Sequence, residues 1–157
     1  MKIIFLDFDG VLNSDWYIRH HGTGSVVIDP LCMTLLKDIV LTTGAKIVLT
    51  TSWRAHWSVN NDECNDIGKE INSIFAEYGL YIHSKTPHHG FSKRESEIKD
   101  WLSDHPNVTS FVIFDDGFFN DPELDKHFVR TSSMRGGLCE DDVRAALEIL
   151  SPMTSLV

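Results

Sequence analysis

The sequence predicts an α/β fold: a three-layer α/β/α sandwich around a central parallel, Rossmann-like sheet. Three observations carry that expectation. Short apolar runs alternate with helical patterns along the chain, the order that builds a parallel sheet with helices on both faces. The first run, Lys2 to Leu6, is continuous rather than alternating, as in a strand covered on both sides. The chain has 157 residues, 42% hydrophobic and 24% charged, enough for a single domain over 1–157 with a core that needs no disulfide or metal staple.

The elements follow in order. Lys2 to Leu6 is the first strand. Asp29-Pro30 pairs a capping side chain with a first-turn proline. The stripe Leu31, Leu35, Leu36, Ile39 and Val40 then gives a helix stopping near Gly44. Lys46 to Leu49 is a second strand. Ile67, Ile71, Ile74, Phe75 and Tyr78 mark a helix closed by Gly79. Leu80 to His83 is a short third strand. Ser92-Lys93-Arg94-Glu95 has the capping-box pattern, continued by Ile98, Trp101 and Leu102. Phe111 to Phe114 is a fourth strand and Phe128 to Arg130 a short fifth. Val143, Ala146, Leu147 and Leu150 give the last helix.

Charge and cysteine content narrow the function. Fourteen Lys and Arg against 23 Asp and Glu leave a net charge of −9. Such a balance disfavours generic binding to nucleic acid or anionic membrane, but it suits carboxylates gathered round a divalent cation. Cys32, Cys64 and Cys139 have no zinc-site spacing and read as reduced thiols. The apolar start is too short for a signal peptide and no run reaches membrane-spanning length, so the expectation is a soluble, cytoplasmic protein.

In parallel sheets the ligand lies off the carboxyl ends of the strands. Asp7-Phe8-Asp9-Gly10 follows the first strand, Thr50, Thr51 and Ser52 the second, and Asp115-Asp116 the fourth, while Lys93 opens a helix. Each group alone reads as a turn or cap. Together, in this order, they bring four carboxylates, hydroxyls and an ammonium to one edge. Crowded carboxylates need a neutralising partner, and oxygen-only ligands suit a hard cation such as Mg²⁺. One carboxylate can then act as a nucleophile and another as a proton donor, with Lys93 and a hydroxyl on a phosphoryl group.

These residues resemble the haloacid dehalogenase-like (HAD) superfamily of phosphohydrolases. Ile3 through Asn13 is similar to its first motif, Val48 to Thr51 to its second, Lys93 to its third, and Phe111 to Asp116 to its fourth. The resemblance implies that Asp7 is the nucleophile, forming an aspartyl phosphate. Asp9 would protonate the leaving oxygen and then activate water; the dehalogenases lack this second Asp. Mg²⁺ would be held by Asp7, the carbonyl of Asp9, and Asp116 or Asp115, with Asp116 favoured. Thr51 would hold the phosphoryl group, with Thr50 the competing choice. Lys93 would neutralise charge beside the nucleophile, with Arg94 the poorer candidate. The acid often found four residues after the main Asp of the fourth motif is here Asn120, followed by Asp121. Thr51-Ser52-Trp53-Arg54 and Gly137-Leu138 narrow the resemblance to HAD domains found beside RNA-repair enzymes and as stand-alone proteins.

The spacings leave no room for a cap domain after the first motif or between the second and third. An open site does not close over a small molecule and exclude water by itself. Within the family this implies a large phosphorylated substrate, such as a nucleic-acid end or a phosphoprotein, or an oligomer that covers the site. Trp16, Tyr17 and Arg19, in the loop after the first motif, and Trp53, Arg54 and Trp57 after the second, either stack bases and bind phosphate or pack the loops. Ser52, Trp53 and Arg54 are accordingly substrate-binding candidates with Thr50. Phe118-Phe119 reads as loop packing, and His83, His88 and His89 as surface histidines. A phosphorelay receiver shares the Asp, Thr and Lys set, but its accepting Asp follows the third strand. The remaining rivals are a phosphotransferase or phosphomutase of the same fold and a phosphate-binding scaffold with little turnover.

Overall fold

The protein, seen in a computed structural model that describes residues 1–91 and 93–151, is built on five parallel strands. They are β1 (Lys2–Leu6), β2 (Lys46–Leu49), β3 (Ile82–Lys85), β4 (Ser110–Asp115) and β5 (Phe128–Arg130), in the order β3-β2-β1-β4-β5. Alternate residues of each strand supply two cores. Ile4, Leu6, Ile47, Leu49, Val112 and Phe114 face the helices α2 (Pro30–Thr43), α3 (Asp66–Glu77) and α6 (Glu140–Leu150). Ile3, Phe5, Val48 and Ile113 face α4 (Arg94–Ser103) and the short α5 (Pro122–Asp125). This is the expected three-layer sandwich. Among the described residues no cap domain is inserted after β1 or between β2 and α4.

Three elements differ from the sequence expectation. The segment after β1 is not a loop throughout: Ser14 caps the helix α1 (Asp15–His21), its hydroxyl accepting the Tyr17 N–H at 3.1 Å. That helix buries no residue, so it has no apolar stripe to betray it. The buried face of α2 is Cys32, Met33, Leu36 and Ile39, whereas Leu31 is 74% exposed. The third strand begins at Ile82 rather than Leu80. The Leu80 N–H bonds the Phe75 carbonyl and the Gly79 N–H that of Ala76, a paired C-terminal cap that ties Leu80 to α3. Strand pairing then extends to the polar Ser84 and Lys85, with a register shift between Ile47 and Val48.

Ser92 lies outside the described residues, and α4 itself begins at Arg94 with Lys93 in the flanking position. All three cysteines are free; burial pushes the Cys32 thiol up to about 12. No helix among the described residues is long and apolar enough to cross a membrane.

Candidate active site

Each strand hands its next residue to its neighbour. The Asp7 N–H bonds the Phe114 carbonyl (3.1 Å), Thr50 bonds Leu6 (3.0 Å), Thr86 bonds Leu49 (2.9 Å) and Thr131 bonds Asp115 (2.9 Å). The sheet thus aligns Asp7, Thr50, Thr86 and Thr131 along one edge. Asp115 ends β4 and Asp116 follows it, so the carboxylates arrive beside Asp7. Asp7, Asp115 and Asp116 each offer an oxygen within 4.8 Å of the other two.

Gly10 makes that approach feasible. Its φ is +78°, and a Cβ there would stand 2.2 Å from Asp116 Oδ2. The Gly10 carbonyl accepts the Thr131 hydroxyl at 2.7 Å, and its N–H bonds Asn13 Oδ1 at 3.0 Å. Gly10→Ala is expected to push Asp116 aside and lower turnover at least about tenfold, beyond the ~1–2 kcal/mol that a left-handed backbone costs a side chain. Gly44→Ala is the control: the same handedness (φ +70°) with nothing within 4 Å. Thermal melts should show the backbone penalty in both variants, larger in Gly10→Ala where the added Cβ also meets Asp116, and only Gly10→Ala should lose activity.

The electrostatics are strained without a cation. Asp7 and Asp115 are 8% and 3% exposed. Burial pushes the Asp7 carboxyl up from 3.8 to about 6; Asp115 and Asp116 push the same way, against Arg94 and the Phe8 N–H. Asp116 is also raised, by partial burial and then by Asp115. The Arg94 guanidinium reaches Asp7 Oδ2 at 3.1 Å and also bonds Asp115 Oδ2. Desolvation opposes its charge, but the two carboxylates outweigh that and hold it protonated. One cation therefore faces three carboxylates. An all-oxygen set with excess negative charge fits a hard divalent ion.

Asp9 is exposed at the rim. Its two oxygens accept from Asn13 Nδ2 (3.1 Å) and Trp53 Nε1 (3.3 Å). Trp53 is therefore tied directly to Asp9. Thr50 and Thr51 are both buried. Thr50 Oγ1 has no partner among the described residues, whereas Thr51 Oγ1 accepts the Trp53 N–H at 3.3 Å. Ser52 is exposed and lines a cleft of about 320 Å³ with Arg94, Lys93, Phe91 and Phe118.

Two candidates are placed differently from expectation. Lys93 is exposed and makes no ion pair among the described residues; the cation on Asp7 is Arg94. The register of α4 decides this, because one residue turns a side chain by about 100°. Arg94 shares the inward stripe with Glu97, Ile98 and Trp101. Arg54, a substrate-binding candidate by sequence, is 5% exposed and largely engaged. It pairs with Glu97 at 2.7 Å and donates to the carbonyls of Thr50 and Thr51 (3.0 Å to the latter) and of Pro87 (3.3 Å). It fastens the loop after β2 to α4, and so fixes Thr51 relative to Arg94.

The other aromatic residues divide. Trp57 is buried and bonds Asn72 Oδ1 at 2.8 Å, and Phe119 stacks on Phe128. Trp16 and Phe118 are 61% and 80% exposed. Asn13 and Thr131, which fasten the Asp9-Gly10 turn, did not stand out as candidates in the sequence. For Thr131 a signal was present: it too follows a strand.

No curated protein matches the sequence. A family model described as the HAD domain in Swiss Army Knife RNA repair proteins matches residues 3–143, a span that takes in β1 through the start of α6 and every residue of the site. That match supports a phosphohydrolase-type activity in general, and the chain belongs to this family of capless HAD domains.

Proposed function

We propose that the protein is a Mg²⁺-dependent phosphomonoesterase that works through a phospho-aspartate on Asp7 and acts on the phosphorylated end of a nucleic acid. The observation that carries this reading is the position of Asp7: buried, flanked by Arg94, and within 4.8 Å of both Asp115 and Asp116.

Asp7, Asp115 and Asp116, with the Asp9 carbonyl, would hold the Mg²⁺. When bound, the ion neutralises phosphoryl charge and keeps Asp7 ionised. An Asp7 oxygen attacks phosphorus, and the bond from phosphorus to the leaving oxygen breaks. Asp9 gives that oxygen its proton. Asp9 then takes a proton from water as the water oxygen attacks phosphorus. The bond to Asp7 breaks, inorganic phosphate leaves and the carboxylate is restored. Arg94 and the Thr50 or Thr51 hydroxyl hold the phosphoryl oxygens during both transfers. Asn13 and Trp53 hold the Asp9 carboxylate in place.

The open rim favours a substrate that brings its own bulk, and the family's occurrence in RNA repair proteins favours a nucleic-acid end. A phosphoprotein is the second reading, favoured by the net charge of −9. The test is hydrolysis of an aryl phosphate by protein stripped with chelator and then titrated with Mg²⁺. Activity should be absent after stripping and return with the ion. Full activity in the stripped protein would contradict the metal requirement.

A further inference from the structure

A second pocket of about 300 Å³ opens on the far side of Asp116, lined by Arg130, Thr131, Ser132, Ser133 and Arg135. Two of these residues are cations, against the single carboxylate of Asp116 that shares the lining. Arg130 is exposed and uses only Nε within the described residues, donating to the Asp116 carbonyl at 3.2 Å. Both of its terminal nitrogens are left for a ligand. Among the described residues Arg135 pairs with Asp142 at 3.9 Å, and its side chain is 52% exposed. In a chain of net charge −9, two such arginines at one pocket stand out.

Phe118 lines the cleft that holds Arg94 and touches Arg130 of this pocket. The Arg130 guanidinium lies 3.6 Å from the centre of its ring, yet the ring is 80% exposed and also lines the cleft. One face is thus held by a cation and the rest is presented to the ligand side. Contacts thus run from the Arg94 cleft through the Phe118 ring to Arg130 of the second pocket. A polynucleotide end has the same order: terminal phosphate, base, next phosphodiester. A peptide with one phosphate matches only the first of these.

We infer that the Arg130–Arg135 pocket is a second phosphate subsite, which binds the phosphodiester next to the reacting phosphate of a single-stranded polynucleotide end, with Phe118 stacking on the intervening base. This rests on the nucleic-acid reading above. It adds that the protein discriminates a polymer end from a mononucleotide, and it names the residues that do so. Stacking is sequence-tolerant because every base offers a π face, so the subsite selects a strand rather than a sequence.

The experiment compares kcat/KM for an aryl phosphate, a phosphorylated mononucleotide, the matching di- and tetranucleotides (phosphorylated at either end), and a singly phosphorylated peptide. Wild type should gain at least about tenfold from mononucleotide to dinucleotide and little beyond. In the Arg130→Gln/Arg135→Gln double variant that gain should vanish. Phe118→Ala should lower the ratio of dinucleotide to aryl phosphate about fivefold or more. A second readout needs no turnover: the affinity of Asp7→Asn for a labelled tetranucleotide, by anisotropy against salt. Adding the double substitution should flatten the log–log salt slope by about 0.7 for each phosphate that is no longer neutralised. Equal mono- and dinucleotide rates, a gain that survives the double substitution, or a peptide preferred to the dinucleotide would overturn the inference. Aryl phosphate hydrolysis that persists in those cases keeps the phosphatase reading standing. If wild type hydrolyses nothing, that reading fails and the binding measurement alone decides the subsite.

Discussion

Asp7→Asn is expected to abolish phosphomonoester hydrolysis, by roughly three orders of magnitude or more, while the fold survives. The amide keeps the shape of the side chain and its bond from the Phe8 N–H (2.9 Å to Oδ1), but it is no nucleophile. Stability should move the other way. The folded pKa of Asp7, about 6, lies above its ordinary 3.8. A group raised in this way contributes stability that is full below 3.8 and lost as pH rises through about 6. Above a pH of about 6 the metal-free wild type thus carries an ionised, buried carboxylate that Asp7→Asn does not. That displacement corresponds to at most ~3 kcal/mol. Metal-free Asp7→Asn should therefore melt several degrees above wild type at about pH 8, the gap closing by about pH 4. Scanning calorimetry at the two values, with circular dichroism for the fold, checks both halves.

The second large effect concerns which cation serves the site. Arg94→Ala removes the guanidinium shared by Asp7 and Asp115. Turnover should fall about 10²-fold or more, the usual loss for one preorganised donor at a phosphoryl or oxyanion site. Metal-free protein should also lose ~3–5 kcal/mol, because two buried carboxylates lose their partner. Arg94→Lys should fall between, since a point charge cannot serve both carboxylates as a planar fork does. Lys93→Ala should cost no more than a few-fold. Steady-state kinetics on one aryl phosphate rank the three, and a larger loss for Lys93→Ala would show that the wrong cation has been assigned.

The difference between Lys93 and Arg94 shows where the sequence was legible. Strands β1, β2 and β5 span the residues expected of them; for β1 and β2 the reason is that a buried parallel strand is written as an apolar run. The acidic and hydroxyl groups after β1, β2 and β4 converge because parallel strands end together. What the sequence obscured depends on rotation or on local hydrogen bonding. A capping box beginning at Ser92 would set Lys93 inside the helix, one residue earlier than α4 begins. The spacing Arg94, Glu97, Ile98, Trp101 is itself an i, i+3, i+4, i+7 stripe, but its charged members hide it from a search for apolar periodicity. Arg54 and Glu97 neutralise each other in the interior, a pairing 43 residues apart that no local pattern announces. The helix over Asp15–His21 buries nothing, so its local signals lie at its ends, in Ser14, Asp15 and Gly22.

The most direct test of the covalent account is capture of the intermediate. Wild type turning over an aryl phosphate with Mg²⁺ is quenched in acid and reduced with borohydride, which converts an aspartyl phosphate to homoserine. Mass spectrometry of the peptide spanning residues 3–13 should find homoserine at position 7, dependent on substrate and Mg²⁺. Turnover that continues with position 7 unmodified, or modification at Asp9 instead, would contradict the role assigned to Asp7.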